Sequence, residues 1–209
     1  MLYSMSREKD TRGKILAAAL AHIRRRGGAD VSLGEIARAA RLSRQAIYLH
    51  FADRADLMIA LIRYVDELRG LPQKLGRIRD APSGLAAIRE MVRLQALDNP
   101  GLWPIARMFD AVRRQDPEVE QSWQDRLQER LKGCRAIVGR LEAEKSLRPG
   151  MDPSTAADIL WTVTSLRMWE DLVLQRNWSA EQYQDHVYRM LLDSLTKGDP
   201  ADGASIRGR

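Results

Sequence analysis

Two adjacent side chains, Arg44 and Gln45, carry the groups that read base edges in a DNA major groove. An arginine guanidinium can bridge O6 and N7 of guanine, and a glutamine amide can pair with N6 and N7 of adenine. Leu49 adds an apolar contact of the kind that suits a thymine methyl group. Ser32 and Ser43 can add phosphate contacts, because a serine that caps a helix sits beside amide groups that point at anions.

For these side chains to act together, a short helix must present them. Residues 31–57, VSLGEIARAARLSRQAIYLHFADRADL, read as helix, tight turn, helix and the start of a longer helix. Ser32-Leu-Gly-Glu35 is a capping box: Ser32 accepts from the Glu35 amide, and Glu35 reaches back to the Ser32 amide. Leu33, Ile36, Ala37 and Ala40 recur at helical spacing. Ser43 is a strong N-cap for the next helix and Asp53 for the one after, with Asp56 favouring its positive end. Ala46, Ile47 and Phe51 give the second helix its inward side, which leaves Arg44, Gln45, Tyr48, Leu49 and His50 facing outwards. That is the layout of a helix-turn-helix whose second helix enters the major groove. Caps and short helices alone fit equally well a helical hairpin that packs and binds nothing.

The run resembles the DNA-binding domain of the tetracycline-repressor (TetR) family of bacterial transcription regulators. The family pattern, Ile-Ala-x-x-Ala-Gly-Val-Ser-x-x-x-Leu-Tyr-x-His-Phe-x-x-Lys-x-x-Leu, stands here as Ile36-Ala37, Ala40-Arg41-Leu42-Ser43, Ile47-Tyr48, His50-Phe51, Arg54 and Leu57. Upstream, Arg12, Ile15, Leu16, Ala19 and Gly27 fit the family's first helix and the turn after it, so the resemblance covers about residues 11–60. It implies phosphate contacts for Tyr48, His50 and Arg54. The bland readings are a half-buried aromatic helix end for Tyr48 and His50, and a surface salt bridge for Arg54. It also implies an all-α fold: an N-terminal three-helix helix-turn-helix domain over 1–56, then a larger helical effector-binding and dimerisation domain over 57–197. Residues 198–209 are expected to be a disordered tail. Two departures stand out. Arg41 occupies the place where the family usually has glycine, and a left-handed conformation there costs a non-glycine residue about 1 kcal/mol. A phosphate contact from Arg41 could offset it. Ala46 stands where threonine or glycine is common, and both changes bear on the operator sequence.

Charge follows the same division. The 209-residue chain carries a net +6 and its pI is about 9.8. Residues 1–56 hold eleven Lys or Arg against six Asp or Glu, a net +5, which leaves +1 for the rest. Counterion release at phosphates favours such an excess on a DNA-facing domain, although an arginine run such as 24–26 usually only balances a helix C-terminus. The N-terminus, MLYSMSREKD, has no secretory pattern and reads as a disordered arm able to touch DNA backbone. No apolar run is long enough to span a bilayer. The single cysteine, Cys134, forms no internal disulfide and reads as a small buried apolar residue. A soluble cytoplasmic protein is expected, with no membrane partner.

Beyond Leu57 the sequence stays helical. Helices are expected to about residue 69, then over 83–97, 103–114, 117–145, 153–175 and 179–196. Gly70-Leu71-Pro72, Asn99-Pro100-Gly101 and Arg148-Pro149-Gly150 are the expected breaks between them. Ile159, Val163 and Leu166, then Val187, Met190, Leu191 and Leu195, form apolar stripes. Periodicity shows only that these helices bury one face; the resemblance implies that they pair with a second copy as the dimer interface. A homodimer is favoured physically, because one short recognition helix reads only a few base pairs and a palindromic operator offers two half-sites.

The tryptophans and methionines of the larger part are more often core or interface than pocket. The resemblance implies a small-molecule cavity there, for which Met91, Leu94, Trp103, Met108, Phe109, Cys134, Trp161 and Trp169 are the candidate lining. An apolar effector with few polar partners is expected, with Arg107, Asp110 and Arg167 as candidate partners. The helix after Asp53 is the expected lever between effector and DNA. No catalytic residue, metal or cofactor is expected. His22, His50 and His186 lie in separate segments, and neither a phosphate-cradling glycine loop nor a nucleophile elbow is present. The reading is a double-stranded-DNA-binding repressor that releases its operator when a small molecule binds. The alternatives are an activator or a regulator sensing a protein partner and, remotely, a helical enzyme.

Overall fold

The computed structural model describes residues 2–26 and 32–197. Gly27, Val31 and the expected tail over 198–209 lie outside the described residues. The described residues form helices without strands, apart from one isolated antiparallel bridge between Leu147 and Thr196.

The helices are α1 (Leu2–Arg25), α2 (Leu33–Ala40), α3 (Arg44–Tyr48), α4 (Arg54–Leu68), α5 (Leu71–Arg79), α6 (Gly84–Arg113), α7 (Pro117–Ala143), α8 (Pro153–Val163), α9 (Leu166–Trp169) and α10 (Ala180–Leu195). A π-helical turn, Glu170–Gln175, follows α9 directly.

Four expectations are corrected. The arm expected ahead of the first helix is instead the start of α1, which begins at Leu2. Gly70, at φ 61°, ends α4 as expected, but a further helix, α5, begins at once with Pro72 in its first turn, where its missing amide costs nothing. The expected break at Asn99-Pro100-Gly101 does not occur, and α6 runs on through Pro100 and Pro104. An interior proline costs a helix about 3 kcal/mol. Here the flanks bury Met91, Val92 and Ala96 on one side and Ile105, Met108, Phe109 and Val112 on the other, and that burial outweighs the loss. Conversely, the helix expected over 153–175 is interrupted at Thr164-Ser165. The Thr164 hydroxyl donates to the Leu160 carbonyl at 2.6 Å, and the Ser165 hydroxyl accepts from the Met168 amide at 3.1 Å and starts α9. Such side chains compete with the helix for its own backbone groups.

The chain packs as two compact units. Of the described residues, unit 1 takes in those up to Pro72 together with Pro100–Arg126; unit 2 comprises Gln73–Asn99 and those from Leu127 onwards. α6 and α7 therefore each give one part to each unit. In unit 1, Ile15, Ala19 and Ile23 of α1 join Ile36 of α2, Ile47 of α3 and Leu57, Met58, Leu61 and Val65 of α4 in one apolar core. Met108, Phe109 and Val119 complete it. Asp66 of α4 is held by Arg126 of α7 at 2.5 and 3.3 Å.

Unit 2 is built on Ile88 and Val92, Cys134, Val138 and Leu141, Leu160, and the α10 stripe Tyr183, Val187, Leu191 and Leu195. Gly84 lets α6 lie against α7, since a Cβ there would stand 2.7 Å from Leu141 Cδ2. The Gly84 amide also donates to the Glu144 carboxylate at 3.0 Å. Arg130 donates to the Trp161 and Thr164 carbonyls at 2.6 and 3.0 Å, satisfying the end of α8.

Candidate nucleic-acid interface

The interface is assembled by caps. The Ser32 hydroxyl accepts from the Glu35 amide at 3.3 Å, and the Ser32 amide donates to the Glu35 carboxylate at 2.8 Å, so the expected capping box is formed. The bond from the Ser32 amide, a second one donated by the Ser32 hydroxyl to the carboxylate at 2.9 Å, and the paired Arg26 hold the Glu35 carboxyl down at about 2. α2 ends at Arg41, which adopts a left-handed conformation with φ 56° and ψ 39°. The Leu42 amide reaches back to the Ala37 carbonyl at 2.9 Å, closing a turn of the kind that glycine ordinarily makes.

Two residues on, Ser43 caps α3 by accepting from the Ala46 amide at 3.1 Å. α3 is only five residues long, so its orientation rests on what lies beneath it. Ile47 and the following Phe51 are fully buried in the core of unit 1, and Ala46 is half-buried. This fixes the opposite side outwards: Arg44 and Gln45 are exposed, Tyr48 is 44% exposed and Leu49 81%. The Arg44 guanidinium reaches the Tyr48 hydroxyl at 3.4 Å and lies 5.9 Å from its ring. Ser32 and Ser43 are exposed at their caps, while His50 and Arg54 are half-buried. All eight expected DNA-facing residues thus fall within the one helix-turn-helix of unit 1.

Arg12 has a larger part than its sequence position indicated. Its guanidinium donates to the His50 carbonyl at 3.0 Å, covers the Phe51 ring at 4.4 Å and approaches Asp56 at 3.9 Å. Asp56 in turn accepts from the Ala52 amide at 3.1 Å. α1 and α4 together therefore hold the C-terminal end of α3. An arginine 38 residues from its acceptor leaves no local signal of such a bond.

The candidate effector residues are shared between the units. Met108 and Phe109 are fully enclosed in the core of unit 1, where Phe109 packs on Trp123 with ring centroids 5.7 Å apart. Trp103, also in unit 1, is half-buried with Arg107 5.0 Å from its ring. In unit 2, Met91, Cys134 and Trp169 are buried, Leu94 and Trp161 half-buried, and Arg130 lies 4.5 Å from the Trp161 ring. Of the candidate polar partners, Asp110 is occupied by Arg113 and Arg114, and Arg167 by Asp171.

The candidate dimer residues need correction. Val187, Leu191 and Leu195 are fully buried within their own chain, as the inward stripe of α10, and have no surface left for a partner. Ile159, Val163 and Leu166 are half-buried, and Met190 is 37% exposed. Met190 belongs to an open groove of about 430 Å³ lined by Trp178, His186, Arg189, Asp193 and Ser194. Among the described residues no helix is long and apolar enough to cross a membrane, and no cluster of His, Cys, Asp and Glu could hold a metal ion.

Residues 15–61 match the family profile "Bacterial regulatory proteins, tetR family". The HTH-type transcriptional regulator AcrR of Shigella flexneri is 49% identical over 49 residues, 23% of either chain. The nucleoid occlusion factor SlmA of a Marinomonas species is 25% identical over 162 residues, covering 74% of this chain and 79% of that one. A solved transcriptional regulator from Saccharomonospora viridis in complex with choline has the same fold, with a TM-score of 0.76 and 17% identity over 91% of this chain and all of that one.

Proposed function

We propose, for a chain that belongs to the TetR family of bacterial transcriptional regulators, a homodimeric repressor that leaves its operator when a small molecule binds in unit 2. The observation that carries the reading is the outward side of α3. Arg44 and Gln45 stand exposed at its N-terminal end for base edges, with Tyr48 and Leu49 one turn later. His50 and Arg54 flank it for phosphates, and Ser32 and Ser43 present capped helix starts. One such helix reads few base pairs, so two copies on a palindromic site supply the specificity. Ile159, Val163, Leu166 and the groove around Met190 are the proposed contacts between copies.

Repression is the default sign, because a dimer seated on a promoter excludes other proteins from it. The similar regulator that holds choline supports a small effector for this chain. Met91, Leu94, Cys134, Trp161 and Trp169 are its proposed neighbours in unit 2. The route to DNA runs along α6 and α7, not through α4 alone, since residues 100–126 of those helices pack against α4 in unit 1. An effector lowers operator affinity only if it prefers the state in which the two copies of α3 are wrongly spaced.

Gel-shift titration on the DNA upstream of the chain's own gene tests the reading. A sequence-specific shift, relieved by one member of a small-molecule panel, is expected. No specific shift overturns it, and a shift that no small molecule relieves favours a protein partner as the signal.

A further inference from the structure

Among the described residues of the helix-turn-helix, Arg41 is the one whose backbone conformation and residue type disagree. Its φ of 56° lies where glycine is at ease and a side chain is strained. The turn needs that conformation, because it directs the Leu42 amide back to Ala37 and sets Ser43 to cap α3. Strain at such a point directs attention to what the side chain reaches.

The Arg41 side chain is exposed and makes no ion pair with another described residue. The same holds for Arg38 and for Arg44, so three arginines spaced three residues apart run along the end of α2 and the start of α3. Glu35, the acid nearest in sequence, is taken by Ser32 and Arg26. In a docked helix-turn-helix the helix ahead of the recognition helix crosses the sugar-phosphate backbone, and a guanidinium matches a phosphate with two parallel hydrogen bonds.

We infer that Arg41 is a phosphate clamp: it bonds a DNA backbone phosphate from the turn itself, adding sequence-independent affinity beside the base-reading Arg44. The inference rests on the DNA-binding reading above. It makes the turn a compromise in which conformational strain is kept for the sake of a charge.

The test compares the wild-type full chain with Arg41→Gly, Arg41→Gln and Arg41→Lys. Binding is measured by fluorescence anisotropy on the upstream duplex and on a random duplex of equal length, across a salt series. Arg41→Gly and Arg41→Gln should lose affinity for both duplexes by the same factor, about fivefold per bound chain at physiological salt relative to 1 M. The slope of log affinity against log salt should flatten by about 0.9 per bound chain. Arg41→Lys should keep most of both. Arg41→Gly should also melt about 2–4 °C higher as the strain is relieved, and Arg41→Gln should not.

Wild-type affinity and salt slope in both charge-removing variants would overturn the inference, as would a loss confined to the upstream duplex. A wild-type chain that does not prefer the upstream duplex counts against the regulator reading alone, because the Arg41 effect is also read on the random duplex. Binding to neither duplex overturns both.

Discussion

Ile47 of α3 and Val187 of α10 are equally and fully buried, and both were legible as apolar positions at helical spacing. What surrounds them differs. Around Ile47 the neighbouring positions are arginine, glutamine, tyrosine and an 81%-exposed leucine, the set proposed to meet DNA. Around Val187 the stripe continues inwards as Tyr183, Leu191 and Leu195, while His186, Arg189 and Met190 beside it reach the surface. A buried stripe says that a face is covered and not by what. In α3 the proposed function is carried by the uncovered side, and in α10 the covered side belongs to the chain's own core.

Substitutions can break or sharpen that contrast. The largest effect should come from Leu191→Ala, which removes a fully buried side chain and should cost about 2–5 kcal/mol in denaturant unfolding. Met190→Ala, one residue along, should stay within about 0.5 kcal/mol, its effect appearing in dimer dissociation by ultracentrifugation. If the two melted alike, α10 would have no inward stripe distinct from its rim. Next in size is Arg44→Ala, which should cost about 1–3 kcal/mol on the operator and little on random DNA. An equal loss on both duplexes would make Arg44 a backbone contact and not a reader.

Arg12→Ala should cost about 1 kcal/mol of stability by releasing the His50 carbonyl. It should weaken operator and random DNA together, because α3 then loses its fixed end; unchanged binding would show that α4 suffices to hold it. The smallest effect is one of pH. The Glu35 carboxyl is held at about 2, below the ordinary value of 4.5, so its contribution is complete above about pH 4.5 and is lost as pH falls towards 2. Acid titration of the melt should show that decline in the wild type and a shallower one in Glu35→Gln.

The caps were the most legible part of the molecule. Ser32, Ser43 and Asp53 all accept from the amide three residues on, because a cap is a bond between neighbours in sequence. The outward side of α3 followed from its caps and from Ile47. What escaped the sequence depended on distant partners. Pro100 breaks a helix by local rules and fails to here, because Phe109 and Met91 on either side of it are buried. Arg12 meets His50 only after folding. Leu191 was expected at an interface only through the resemblance, since spacing carries no label for the surface that meets it.

Cys134 gives the chain an internal gauge of its own breathing. It is the sole cysteine, it is fully buried in unit 2, and burial pushes its thiol up to about 11. A thiol that is both inaccessible and protonated does not alkylate at neutral pH unless the surrounding helices open. The alkylation rate, divided by that of the unfolded chain, therefore measures how often unit 2 opens. A small molecule that binds there should slow that rate in proportion to its occupancy. The native sequence thus carries a ligand-screening readout without any added label.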